Sequence, residues 1–541
     1  MSEVFKNRKI NSPFGIFFQI AVFNIAIFGL YNLIEKIFYS LTSFDMLETP
    51  TFVGLENYSN IFKDEVIQKC LGNTVFMVCV VAILLLITAV LPAIFTSKLK
   101  LPFGLGVIGA LSFVSICAML PNLFNMIFSG DSYGLLNSWL LSNSIINEPI
   151  IFPQTHARML AIFVLWLYCL APVFSITYIA ARKKQSFWGS VIAVCLIPVL
   201  MYKGGGIVNG VVGSPSTNYS ADWLYTIFKD YLMIRLEISS AYAILVVGLI
   251  MLVFWCALVC SAALCLRVIC KKINANHLTF KVFGFITFAL SLLSFAFILI
   301  FITSRTLMPL DEILAQPISI AVKRPTLQNF YSLGKFLSET AVPFSTYLGN
   351  SRFFVPVTIL PVCLFTVLPS GVGFGLFKVF NKQKLLLLCF IPFLFVSGYL
   401  TLSKLGIVDT RFVYMFEFLS SLEFLIAVFL VYLAVKLVFY TRKPSKNSIL
   451  LGVFFILSSF YAIGAIRGIW YNSDMLYSEN LKLWNNISAY ISSGGTARSG
   501  VAAANDMLML FATIVVVVVP LILLLQLYRL YRKNTNDLIE K

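Results

Sequence analysis

The constraint that dominates this chain is a recurrent run of about 20 uninterrupted apolar residues, the length an α-helix needs to cross a lipid hydrocarbon core. Windows of that length predict spans near 14–36, 73–96, 103–128, 157–181, 186–203 and 240–266. A second set falls near 280–303, 353–377, 384–403, 411–438, 447–469 and 506–531. Composition agrees. The 541 residues are 59 % hydrophobic and 12 % charged, where a soluble domain is roughly 45–50 % apolar and about 25 % charged. No soluble core could hide this much apolar side chain, so lipid has to be part of the solvent. The first run, Phe14 to Ile34, is followed by no small-residue cleavage site, and is expected to stay as a helix rather than leave as a signal peptide.

The net charge of +17 does not point to nucleic acid. The basic residues stand in short clusters between apolar runs, with no basic stripe and interleaved aromatics in a soluble segment. Their placement sets orientation instead. With Lys6, Arg8 and Lys9 inside, the clusters at Lys98 and Lys100, Arg182 to Lys184, Arg267 to Lys272, Lys378 to Lys384, Arg442 to Lys446 and Arg529 to Lys533 are all inside. The opposite loops balance basic against acidic residues. Both termini are therefore expected in the cytoplasm and the longer loops outside.

The chain repeats itself. Pro50-Thr51-Phe52-Val53-Gly54-Leu55-Glu56-Asn57-Tyr58 leads to Leu71-Gly72-Asn73-Thr74 at the next span. After the seventh span, Pro325-Thr326-Leu327-Gln328-Asn329-Phe330-Tyr331 leads to Leu348-Gly349-Asn350-Ser351. Small residues precede the last span of each half: Ser239-Ser240-Ala241-Tyr242-Ala243, and Gly500-Val501-Ala502-Ala503-Ala504. Recurring words in the same order indicate a duplicated or fused unit. Both halves, 1–275 and 276–541, start inside, so the expected fold is all-α, about twelve transmembrane helices as two parallel six-helix repeats.

These words resemble the permease subunits of carbohydrate ABC importers of the maltose and glycerol-phosphate type. Phe52-Val53-Gly54-Leu55-Glu56-Asn57-Tyr58, Leu71-Gly72-Asn73-Thr74 and Tyr133-Gly134-Leu135-Leu136-Asn137 are similar to the first such subunit. So are Gly204-Gly205-Gly206, Tyr225-Thr226-Ile227-Phe228 and Ala241-Tyr242-Ala243. Pro325-Thr326-Leu327-Gln328-Asn329-Phe330 and Leu405-Gly406-Ile407-Val408-Asp409-Thr410 are similar to its partner subunit. The resemblance implies a type I importer fold with both subunits fused. It implies a bacterial inner-membrane location, an extracellular solute-binding lipoprotein that delivers an oligosaccharide, and a cytoplasmic ATPase pair. It also implies sugar contacts on the fourth span, where Trp166, Tyr168 and Tyr178 lie; such aromatics equally well fill the interior of any membrane protein.

One family element is missing. Such permeases carry a cytoplasmic loop between the fourth and fifth core helices, with a Glu-Ala-Ala…Gly…Leu-Pro pattern, that docks into the ATPase. Here that place holds Arg182-Lys183-Lys184-Gln185 in the first half, and Phe439 to Lys446, with Arg442, Lys443 and Lys446, in the second. Neither has room for a coupling helix. A second reading follows: a permease-derived scaffold or receptor that assembles with other membrane or surface proteins without an ATPase.

Glu417 and Glu423 fall inside the tenth predicted span. An intramembrane carboxylate marks a functional position unless it is a structural pair, for which Arg411 is the nearest partner to Glu417. Asp506 and Arg498 are expected at the interface, and Arg305, Arg352 and Arg467 at outer helix ends with their side chains reaching to water. Cys256, Cys260, Cys265 and Cys270 have irregular spacing and no histidine among them, which reads as packing rather than metal. His156 and His277, far apart in sequence, suggest no catalytic dyad, and no phosphate loop or nucleophile elbow is present. The sequence thus predicts no catalysis and no cofactor.

Overall fold

The structure is a computed structural model that describes residues 33–45, 47–91, 93, 127–152, 156–182, 238–251, 282, 296, 299–315, 319–376, 399–419, 421–439, 445–471, 473, 475–492 and 498–539. It is mostly helical. Among the described residues, four helices are long and apolar enough to cross a membrane: Glu65–Val90, Phe344–Gly373, Lys446–Trp470 and Ser499–Tyr531. Shorter apolar helices include Arg158–Leu167, Ile238–Met251 and Ile426–Phe439. These coincide with the second, eighth, eleventh and twelfth expected spans, and with parts of the fourth, sixth and tenth. Most of the expected spans near 14–36, 103–128, 280–303 and 384–403, all of that near 186–203, and the boundary at 275–276 lie outside the described residues.

The long helices leave apolar side chains outward. On the last one, Phe511, Ile514, Val515, Val518, Val519 and Ile522 are all exposed. Each large apolar side chain left in water forgoes about 1.5–3 kcal/mol of burial, so a row of them requires a lipid environment. The chain is a mostly helical, membrane-associated protein.

The chain divides into two compact units. The first holds Met1–Glu35, Tyr331–Ile491 and Asn505–Lys541; the second holds Lys36–Phe330 and Ser492–Ala504. In the first unit, the helix Val355–Val362 packs on Lys446–Trp470, and Leu368–Leu376 packs on Leu422–Phe439. Val355, Ile359, Phe418, Phe424, Val431 and Phe460 form the core between them. Close approach is set by glycines. A Cβ on Gly464 would lie 2.7 Å from the Pro356 backbone, and one on Gly468 would lie 2.7 Å from the Ser351 carbonyl carbon. Two glycines four residues apart let the helix backbones nearly touch, the small-xxx-small arrangement of membrane helix pairs.

In the second unit, Glu65–Leu85 packs on Ala157–Arg182. Asp64 starts the former, its carboxylate accepting from the backbone N–H of Val66 and Ile67 at 2.8 and 3.2 Å, a cap contributing about 1 kcal/mol. Two short strands, β1 (Thr42–Ser43) and β2 (Thr51–Phe52), pair antiparallel with Thr42 opposite Phe52.

The two copies of the repeated word fold into the same local device. In the first copy, Asn57 sits in the first turn of helix Glu56–Lys63, and its Nδ2 donates to the carbonyls of Ser40 and Thr42 at 2.9 and 2.7 Å. In the second copy, Asn329 sits in the first turn of helix Gln328–Ser338, and its Nδ2 donates to the carbonyls of Arg305, Thr306 and Met308 at 3.3, 3.0 and 2.8 Å. A helix C-terminus leaves up to four carbonyls without partners. In each copy one side-chain amide covers them and folds the following helix back against the end of the preceding one. The small-residue words pack at the same devices. Ser239 donates from its backbone N–H to the Phe44 carbonyl, and a Cβ on Gly500 would fall 2.7 Å from the Asn329 amide nitrogen.

Candidate functional site

A charged cluster lies in the first unit, with Glu417 and Arg467 buried and Glu423 partly exposed. Its geometry begins with a break in the tenth expected span. The sequence predicts one helix over 411–438; the structure has two, Val413–Leu419 and Leu422–Phe439. Ser421 makes the break. Its hydroxyl donates to the Phe418 carbonyl at 2.7 Å, and its oxygen accepts from the Phe424 N–H at 3.4 Å. A serine offering local hydrogen bonds competes with the helix ladder and caps the helix that follows. Glu417 therefore lies near the end of one piece and Glu423 in the first turn of the next, where the helix dipole favours an anion.

Arg467 joins them. It sits in the last turn of Lys446–Trp470, where a cation suits the dipole. Its Nη2 lies 3.6 Å from Glu417 Oε2, and its Nη1 lies 3.4 Å from Glu423 Oε2. The guanidinium also lies 4.0 Å from the ring centroid of Tyr471. Ser473 Oγ donates to Glu417 Oε1 at 2.6 Å. This corrects two expectations. Glu417 pairs with Arg467 from another helix, while Arg411 lies over the Phe354 ring at 3.6 Å. Arg467 does not reach to water; its side chain is 2 % exposed. The reason is the Gly464–Gly468 approach, which draws its helix too close to 344–362 for the intervening residue to escape. Asp506 is corrected likewise: it is buried at 3 % and accepts from Ser488 Oγ at 3.2 Å.

A loop lies across this cluster, fixed from several helices. Tyr414 donates its hydroxyl to the Leu481 carbonyl at 2.6 Å. Asn350, from the repeated Leu-Gly-Asn word, donates to the carbonyls of Asn480 and Lys482 at 2.7 and 3.1 Å. Tyr347 donates to Glu479 at 3.2 Å. Asp409 latches the far side, accepting from the N–H groups of Tyr477 and Ser478 at 2.8 and 2.9 Å and from the Ser478 hydroxyl. These bonds hold its carboxyl below the usual carboxylate range, the Ser478 hydroxyl contributing most. Asp409 has φ +59°, a left-handed conformation that aspartate tolerates through such local bonding. Gly406, φ +66°, ends the preceding helix Tyr399–Lys404. The word 405–410 is thus a helix stop followed by a latch.

The aromatic candidates lie in the second unit. Trp166 donates its Nε1 to Thr88 Oγ1 at 3.0 Å, and Thr88 sits in the π-helical turn Leu86–Val90. Tyr178 is buried with its ring parallel to Phe174 at 6.2 Å. Tyr168 is on the same helix, and its side chain lies outside the described residues, as do Lys183, Lys184, Gln185, Arg442, Lys443, the four cysteines at 256–270 and His277. Arg182 is the last residue of the helix Ala157–Arg182. Lys446 opens its helix behind Ser445, whose hydroxyl accepts from the Ser448 N–H. The helices Leu422–Phe439 and Lys446–Trp470 are separated only by residues 440–445.

From sequence, Arg467 reads as a water-facing helix end, Asn350 and Asp409 appear only inside the repeated and family-like words, and Tyr414 carries no signal. The Gly464–Gly468 pair flanking Arg467 was the available signal for the first. No protein-family model, curated protein or solved structure matches this chain.

Proposed function

We propose that this chain is the membrane-spanning permease subunit of a carbohydrate importer of the ABC type, taking an oligosaccharide from an extracellular binding lipoprotein and itself performing no catalysis. In this reading it has about twelve helices as two parallel repeats, 1–275 and 276–541, in a bacterial cytoplasmic membrane with both termini inside. The observation that carries the reading is the duplicated amide device, Asn57 and Asn329 at the same point of the two similar words. A broken helix with buried charge is a second support, since transporter sites are commonly built where a membrane helix is interrupted. Glu417 and Glu423 then stand on the substrate path in one unit, and Trp166, Tyr168 and Tyr178 offer stacking faces in the other.

A second reading has its own observation. Between the helices ending at Phe439 and starting at Lys446 there are six residues, 440–445, too few for a turn, a docking helix and a return. A permease-derived scaffold that no longer engages an ATPase would keep the outer loops and lose this element. Purification of the tagged chain from native membranes separates the two. An ATPase in stoichiometric amount, with sugar-stimulated hydrolysis, supports the importer. A complex of surface or membrane proteins free of ATPase overturns it in favour of the scaffold.

A further inference from the structure

Arg305 lies in the last turns of the helix over 299–307, at the end of the seventh expected span, and is 2 % exposed. The sequence places it at a helix end reaching to water; instead its guanidinium folds back over Phe301, one turn earlier, at 5.1 Å from the ring centroid. No carboxylate among the described residues pairs with it, and its Nε has no hydrogen-bond partner. A ring face and a helix C-terminus return only part of what desolvating a guanidinium costs.

A second buried donor in the same unit is also open. Ser499 is 3 % exposed, and its Oγ has no partner. The two are tied together by Asn329, whose amide holds the Arg305 carbonyl and whose side chain is pressed by Gly500, the neighbour of Ser499. The first half also buries a cation and a serine near its asparagine device, and both have contacts within the chain. Lys36, 1 % exposed, lies 5.6 Å from the ring centroid of Tyr242, and Ser239 Oγ donates to the Phe44 carbonyl at 3.2 Å. One half closes its cation and its serine within the chain; the other leaves both donors open.

We propose that Arg305 and Ser499 form an oxyanion site for a phosphate group. The guanidinium is a planar fork of donors matched to phosphate, the serine adds a further donor, and neither needs an acceptor in return. In sequence, Arg305 falls just past the seventh expected apolar run, and lipid phosphates lie just outside the hydrocarbon core. The inference is independent of which functional reading holds.

The test uses the full chain, delipidated in neutral detergent, and thermal unfolding against inorganic phosphate or a short-chain phosphatidylglycerol. Either ligand should stabilise the wild type, and Arg305→Gln should weaken that binding at least about tenfold, the loss of one charge-assisted contact. Arg324→Gln, which alters an exposed arginine paired with Asp311, should leave it unchanged. A response to the lipid alone identifies a headgroup as the source; a response to inorganic phosphate identifies a soluble phosphorylated solute. Should Arg305→Gln not fold, Arg305→Lys keeps the charge without the fork and Ser499→Ala removes the second donor, and each should weaken binding several-fold. The proposal is overturned if these variants bind both probes as the wild type does. It is equally overturned if Arg305→Gln is as stable as the wild type or more so in nanodiscs of anionic lipid, the behaviour of a buried cation that has no ligand.

Discussion

Replacing Gly468 by alanine should destabilise the protein, although alanine is the better helix former. The new Cβ would lie 2.7 Å from the Ser351 carbonyl carbon and 2.8 Å from its Cα, with the carbonyl oxygen nearer still. Ordinary carbon–carbon contact is about 3.5–4.0 Å, so the two backbones have to part by about 1 Å. Overpacking of this kind costs typically about 1–3 kcal/mol, against roughly 0.5–1 kcal/mol gained from alanine in a helix. Separation would also pull on Ser351 Oγ, which accepts from the Trp484 N–H at 2.9 Å. Gly349, two residues before Ser351, is the internal control: a Cβ there meets nothing within 4 Å. Gly349→Ala should therefore keep the propensity gain without the clash. The two variants should differ by about 2 kcal/mol, about 30-fold in the unfolding equilibrium, in denaturant or thermal unfolding in one detergent. Equal stability of the two would refute the close approach at Gly468, and with it the reason Arg467 is buried.

Three further outcomes follow. Asn57→Asp and Asn329→Asp should each destabilise by about 1–3 kcal/mol, because an acceptor replaces the donor facing two or three carbonyls; unfolding of the two variants should change in parallel if the devices are equivalent. Arg467→Leu should cost about 3–5 kcal/mol by leaving the buried Glu417 carboxylate without its cation, while adding Glu417→Gln should restore most of it and Glu423→Gln, at a side chain 38 % exposed, little more; uptake by the triple variant then separates a structural cluster from one on the substrate path. The latch at Asp409 should be acid-sensitive. Its folded pKa is lowered, so its contribution is present above the unfolded carboxylate value and is lost as pH falls through the depressed value. Hydrogen exchange at Tyr477 and Ser478, corrected for intrinsic rates, should lose protection there, and Asp409→Asn should remove the pH dependence.

Helix existence was legible because apolar runs of spanning length have few alternatives. The Lys446–Trp470 and Ser499–Tyr531 helices fall where hydropathy puts the eleventh and twelfth spans, with starts displaced by as much as seven residues. The break at Ser421 was not legible, because hydropathy averages over a window and one hydroxyl bonded to Phe418 and Phe424 does not change the average. Charge pairing was misread for the same reason in another form. Arg411 is nearest to Glu417 in sequence, but the partner is set by which helix backbones can touch, and that depends on Gly464 and Gly468. The repeated words were visible as text, yet the role of their asparagines appears only once the carbonyls at 40, 42, 305, 306 and 308 are seen converging on them.

The most direct measurement of the central claim is uptake of radiolabelled oligosaccharides by native membrane vesicles energised with ATP, with and without this chain. The account predicts accumulation that requires the chain and falls in a folded, membrane-inserted Glu417→Gln variant. Vesicles that take up the same sugars at the same rate without the chain would contradict it.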